Sequence, residues 1–127
     1  MVNERPEFGF KNLKVWQKAI EFVDLSLGII ENLNSNTRHF RLIEQYESAV
    51  TSVANNIAEG KGRNSTKEFI RFLYISRGSL YEVITLTEIF YRRKWISEEN
   101  YLLLEQKAFE LASMLKAFIN ALSNQKS

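Results

Sequence analysis

AVTSVANNIAEGKGRNSTKEFIRFLYISRGSLYE, residues Ala49 to Glu82, holds two helical patterns and the break between them. Ala49, Val50, Val53 and Ile57 recur at the spacing of one helical face. The pattern stops at Glu59-Gly60-Lys61-Gly62, where the two glycines can take the positive backbone angles that end a helix. Ser65, followed three residues later by Glu68, is a capping-box signature, each side chain able to satisfy a free backbone donor of the other residue. The stretch therefore predicts a helical hairpin.

Working outward, the third helix is expected from about Ser65 to Arg93, burying Phe69, Phe72, Leu73, Leu80, Val83 and Phe90 beside the small residues Ser76, Ser79 and Thr87. On an outer flank, Ile70, Tyr74, Arg77, Tyr81 and Ile84 follow one another beside Lys67 and Arg71, a mixture that suits an interface or nucleic-acid contact. Gly78 in mid-helix costs about 1 kcal/mol relative to alanine, and a close-packing neighbour would explain it. The second helix, about Arg38 to Glu59, places Leu42, Ile43, Tyr46 and the Ala49 to Ile57 series inward. Asn34-Ser35-Asn36-Thr37 before it reads as a polar turn. The first helix, about Asn12 to Leu33, shows Trp16, Ala19, Ile20, Val23, Leu27 and Ile30 on one face, and Val15, Phe22, Ile29 and Leu33 on a second stripe. Two stripes mean either a wide core-facing arc or a second subunit. Trp95-Ile96 lead to Ser97, an N-cap with Glu98 and Glu99 in the first turn of the last helix, whose inner face is Tyr101, Leu104, Ala108, Leu111, Leu115, Phe118, Ile119 and Leu122.

Four helices with short connections leave one economical packing, an all-α antiparallel up-down-up-down four-helix bundle. A single domain over residues 1–127 is expected, with an irregular N-terminal arm at 1–11 and a frayed tail at 124–127. No uninterrupted apolar run approaches the roughly 20 residues that span a bilayer. The absence of cysteine suits a reducing cytoplasm. With one histidine, His39, the common metal constellations cannot be built, and no cofactor is expected. Glu59-Gly60-Lys61-Gly62-Arg63 lacks the spacing of a phosphate-binding loop and follows a helix where such a loop follows a strand. Glu44, Glu47, Glu59 and Glu82 lack the Glu-x-x-His pairs of a carboxylate metal site; Glu59 and Glu82 read as partners for nearby arginines. No catalytic residue is assigned.

The charge is uneven. Residues 61–94 carry Lys61, Arg63, Lys67, Arg71, Arg77, Arg92, Arg93 and Lys94 against Glu68, Glu82 and Glu88, a net +5 in a chain of net +2. A polyanion would be drawn to this hairpin and its far end, although a solvated face would look the same.

The residues also carry a family resemblance. Phe10, Leu13, Val15, Trp16, Gln17 and Ala19, then Ala49, Ser52, Asn56, Ile57, Ala58, Glu59 and Gly60, then Ser65, Glu68, Phe69, Phe72, Leu73, Ile75, Ser76, Gly78, Ser79 and Glu82, resemble the successive motifs of the bacterial 23S rRNA intervening-sequence proteins. Distant relatives include the accessory variability protein of diversity-generating retroelements. Asn56, Glu59, Gly60, Gly78, Ser79 and Glu82 are the motif positions singled out here. The resemblance implies a non-enzymatic homopentamer arranged as a barrel around a channel. It also implies binding of structured RNA or DNA, and in a retroelement setting a reverse transcriptase as partner. The chain departs from the family at Glu47 and Ser48, where members often carry basic residues. The subunit interface is expected at Val15, Phe22, Ile29, Leu33, Ile70, Tyr74 and Tyr81. A structural or protein-binding scaffold is the competing class.

Overall fold

Two serines set the starts of the last two helices. Ser65 Oγ accepts the Glu68 N–H at 3.0 Å and Ser97 Oγ accepts the Asn100 N–H at 3.1 Å, each satisfying a donor that the first helical turn leaves free. The capping box at Ser65 is only half made, because the Glu68 carboxylate turns to Arg71. The computed structural model describes residues 6–33 and 39–125. Its elements are a 3-10 turn, Gly9–Asn12, and four helices: α1, Lys14–Ile30; α2, Phe40–Lys61; α3, Thr66–Arg92; and α4, Glu98–Ser123. The described residues contain no strand. The expected turn Asn34 to Thr37 lies outside the described residues, as do Arg38, the first five residues of the arm and the last two of the tail. The rest of the arm is more regular than expected, since it winds into the 3-10 turn.

Each helix packs on two others, in the cyclic order α1, α2, α3, α4. Their directions follow from the contacts. Ser76 Oγ donates to Val53 O at 2.7 Å, Ser52 and Ser79 share a hydroxyl bond at 2.9 Å, and Tyr46 meets Thr87 at 3.1 Å, so α3 ascends as α2 descends. Phe69 against Phe118 and Tyr91 against Tyr101 give the same antiparallel sense to α3 and α4. One continuous core runs between the helices, with Val50, Val53, Ile57, Leu73, Val83 and Leu115 wholly enclosed.

The helix ends do not follow the glycines. Gly60 lies inside α2, and Gly62 caps it with φ −76° and ψ −7°, an ordinary helical geometry, so neither glycine has a positive φ. Gly60 answers a packing need: a Cβ there would sit 2.7 Å from Phe72 Cβ and 3.3 Å from the Phe69 carbonyl oxygen. Its bare backbone lets the end of α2 press onto the start of α3. The left-handed residue is instead Lys94, φ 63°, after α3. There the Trp95 N–H reaches Phe90 O and the Lys94 N–H reaches Tyr91 O, both at 2.9 Å, and the Trp95 ring lies 5.2 Å from that of Phe90. This is a Schellman closure with its usual apolar contact, made by a lysine where glycine is the common choice.

The first helix sits rotated from the expected phase. Its buried positions are Val15, Ala19, Phe22, Ser26 and Ile30, while Trp16, Val23 and Leu27 are half-buried and Ile20 is exposed. The two stripes are one wide arc against the core.

Candidate nucleic-acid interface

The close approach of α2 and α3 at Gly60 brings four of the expected cations to one end of the bundle. Arg63 Nη2 lies 2.7 Å from Glu59, and Arg71 lies 3.2 Å from Glu68. Both guanidiniums also sit on the Phe72 ring, 4.8 and 4.7 Å from its centre. The bond to Arg71 holds the Glu68 carboxyl below its ordinary range and raises the guanidinium. These arginines are fixed in place and half neutralised. Lys61 and Lys67 are exposed and have no acidic partner among the described residues.

The antiparallel fold adds two cations that the sequence reading passed over. The 3-10 turn packs on α1 and α2, and Lys61 Cε lies 4.0 Å from where a Gly9 Cβ would stand. Lys11 and Lys14, both exposed, therefore join Lys61 and Lys67 at the same end; Glu7 is the acid nearest to Lys11 in sequence. Their signal was available once the chain was read as up-down, because residue 11 must then fall beside residue 61. Between this rim and the end of α4 lies a cleft of about 460 Å³, floored by Leu13, Phe69, Phe118 and Leu122.

The remaining cations are elsewhere. Arg92, Arg93 and Lys94 close the opposite end of α3, about 32 Å from Arg71 at 1.5 Å per residue. Arg92 is bonded to Glu88 at 2.8 Å, and Glu98 and Glu99 follow in the first turn of α4. Glu88 also accepts from the Tyr101 hydroxyl, which lowers its carboxyl and pushes Tyr101 up to about 12. Arg77 stands midway along α3 on the α4 side, its guanidinium 4.9 Å from the Tyr81 ring and its Nε buried without a hydrogen-bond partner. The eight expected residues thus form two separate groups and one isolated arginine.

The expected subunit interface divides too. Val15 and Phe22 are 5% and 2% exposed, packed into the chain's own core, so they offer no surface to a neighbour. Ile29, Leu33 and Ile70 are half-buried against the same core. Tyr74 and Tyr81 do stand outward, 57% and 54% exposed, either side of Gly78. Nothing lies within 4 Å of where a Gly78 Cβ would be, so the expected close neighbour is absent from the chain itself. Leu102 and Phe109, which lie off the inner apolar stripe that the spacing of α4 picks out, extend this outer face across a groove of about 1110 Å³ between α3 and α4.

Of the motif residues, Asn56, Gly60, Ser79 and Glu82 gather on the α2–α3 seam, whereas Glu59 pairs with Arg63 at the end of α2 and Gly78 is exposed on the outer face. Asn56 Nδ2 donates to Ser52 O and Ser52 Oγ, both at 2.8 Å, and Ser52 bonds Ser79. Glu82 accepts from Gln45 at 3.1 Å, not from an arginine as expected, whereas Glu59 does pair with Arg63. Ser52, Ser76 and Ser79 tie two helices whose facing side chains are small, and Gly60 lets their ends close. Apart from Glu59 and Gly78, the motif thus packs this hairpin.

The comparisons with known proteins bear on the fold and the family. A structure from Bacteroides thetaiotaomicron, described as a protein of unknown function from the S23 ribosomal protein family, is similar with a TM-score of 0.77 and 25% identity, covering 83% of this chain and 97% of that one. No protein of curated function matches. The described residues contain no helix long and apolar enough to cross a membrane. Residues 11–117, from the turn beside Lys61 through all of α2 and α3 and most of α4, match the family described as 23S rRNA-intervening sequence protein, and with two thirds or more of its length inside that match the chain belongs to this family.

Proposed function

We propose that this protein is a non-catalytic, cytoplasmic, self-associating bundle, a homopentamer, that binds structured RNA or another nucleic acid through the end of the bundle formed by the 3-10 turn and the α2–α3 junction. The observation that carries the reading is the convergence of Lys11, Lys14, Lys61 and Lys67 from two separate stretches of sequence, each exposed and without an acidic partner among the described residues. Arg63 and Arg71, anchored on Phe72, add fixed guanidiniums that can contact phosphate. Arg92, Arg93 and Lys94 are the weaker candidates, because Glu88 pairs with Arg92 and Glu98 and Glu99 follow close in sequence, although Arg93 and Lys94 are themselves exposed and without an ion pair among the described residues.

Self-association is supported by the outer face of α3 and α4. Tyr74, Tyr81, Leu102 and Phe109 are each more than half exposed, an apolar surface that a lone chain leaves in water. An exposed mid-helix glycine with open space around it suits close approach of a second backbone. Five copies would repeat the basic end around the assembly, so modest charge per chain can give avid binding to an RNA long enough to reach several subunits. Where the gene lies beside a reverse transcriptase, that enzyme is the partner to examine.

Two measurements test this. Light scattering should give a mass near five chains at micromolar concentration. Binding of structured RNA should weaken linearly on a log–log salt plot, as counterion release requires. A monomer, or no RNA binding at low salt, overturns the corresponding half.

A further inference from the structure

Phe8 is an aromatic ring held out in water. It is 70% exposed although the backbone around it is pinned: the Lys11 N–H donates to Phe8 O at 3.0 Å, the Leu13 N–H to Phe10 O at 3.0 Å, and Gln17 Nε2 to Lys11 O at 2.8 Å. One face of the ring is covered by Phe10, with centroids 5.6 Å apart and planes 25° apart, and Phe10 in turn lies edge-on to Trp16 at 5.2 Å. Among the described residues no other ring stacks on it. The turn that carries it holds Lys11, leads directly into Lys14 and packs beside Lys61.

We propose that Phe8 is a stacking platform for one unpaired nucleobase, with the neighbouring lysines holding the phosphates on either side of it. This rests on the nucleic-acid reading above and adds what that reading lacks, a preference for unpaired over fully paired strands. The chemistry fits on three counts. Every base presents a π-face, so a phenyl ring selects for an unstacked base without selecting its sequence. A ring already ordered by its turn and by Phe10 loses little freedom when a base adds to the stack. Lysine ammoniums at the edge of the platform meet the charge that every nucleotide carries.

The test compares an unpaired RNA oligonucleotide with a duplex of the same length, by fluorescence anisotropy, for the wild type, F8A and F8W. A stacked base is worth about 1–3 kcal/mol by alanine substitution, so F8A should weaken binding of the unpaired RNA about 5- to 150-fold and leave the duplex unchanged. F8W should restore binding, and its added indole should be quenched by the unpaired RNA alone. Helicity should not change, because the side chain supports no core contact. Wild-type binding with F8A unaffected on the unpaired strand overturns the platform and leaves the nucleic-acid reading standing. A lower assembly mass for F8A, with unchanged affinity per subunit, makes the ring a subunit contact and also overturns the platform. If the wild type binds neither RNA, both readings fall.

Discussion

The same substitution at two glycines of the α2–α3 hairpin should act with opposite sign. At Gly78 an alanine Cβ meets nothing within 4 Å, and the backbone is already helical, so G78A should gain the helix-propensity difference, about 0.5–1 kcal/mol. At Gly60 the same gain is available, but the new Cβ would lie 2.7 Å from Phe72 Cβ, 3.0 Å from Phe69 Cδ1 and 3.3 Å from Phe69 O. Two of these atoms are attached rigidly to the α3 backbone and cannot swing aside. The helices must separate, and overpacking of this kind costs about 1–3 kcal/mol, enough to outweigh the propensity gain. Urea melts followed by circular dichroism, run at several protein concentrations to separate chain stability from assembly, should show G60A less stable than wild type and G78A more stable. G78A should also lower the assembly mass if a neighbouring backbone approaches there. A G60A protein as stable as G78A would mean that the end of α2 does not press on α3 as described.

Three further outcomes follow from single residues. K94G should raise stability by about 1 kcal/mol, because Lys94 holds φ 63° at a cost that glycine does not bear; an unchanged or lower urea midpoint would refute the strain. F22D should abolish the helical circular dichroism signal, since an unpaired charge in this core costs several kcal/mol against a total of about 5–15, whereas Y81D should stay helical and lose assembly mass. If F22D instead folds as a monomer, Phe22 is a subunit contact after all. Tyr101, whose hydroxyl bonds the Glu88 carboxylate, is pushed from 10 up to about 12, so its contribution to stability is complete below pH 10 and lost as pH rises through 12. Alkaline melts of Y101F should lack that loss; identical slopes for Y101F and wild type would count against the bond.

The bundle was legible because long apolar periodicities, two serine N-caps and short connections all point the same way. Burial of Tyr46, Leu73, Leu111 and Leu115 follows from spacing alone. Features that depend on two helices at once were less visible. On α1 the choice between the Trp16 and Val15 stripes turns on where α2 and α4 lie, which a helical wheel does not contain. Glycines mislead for the same reason: Gly60 answers a neighbour's Cβ, while the left-handed position fell to Lys94, which no composition rule would select. The basic surface was half legible. Lys61 and Lys67 stand out in a charged hairpin, whereas Lys11, Lys14 and Phe8 become part of it only through antiparallel packing of the chain's beginning onto the end of α2.

The central claim is that nucleic acid meets the protein at the turn and α2–α3 end, and neutralising each end separately tests it. RNA affinity would be measured across a salt series for a Lys11/Lys14/Lys61/Lys67 fourfold alanine variant and for an Arg92/Arg93/Lys94 triple alanine variant. The fourfold variant should lose most of its affinity, with the log–log salt slope shallower by about 0.7 for each phosphate contact removed from single-stranded RNA, and the triple variant should stay close to wild type. Loss confined to the triple variant would place the binding surface at the opposite end of α3, and no loss in either would leave a scaffold whose charges only keep it in solution.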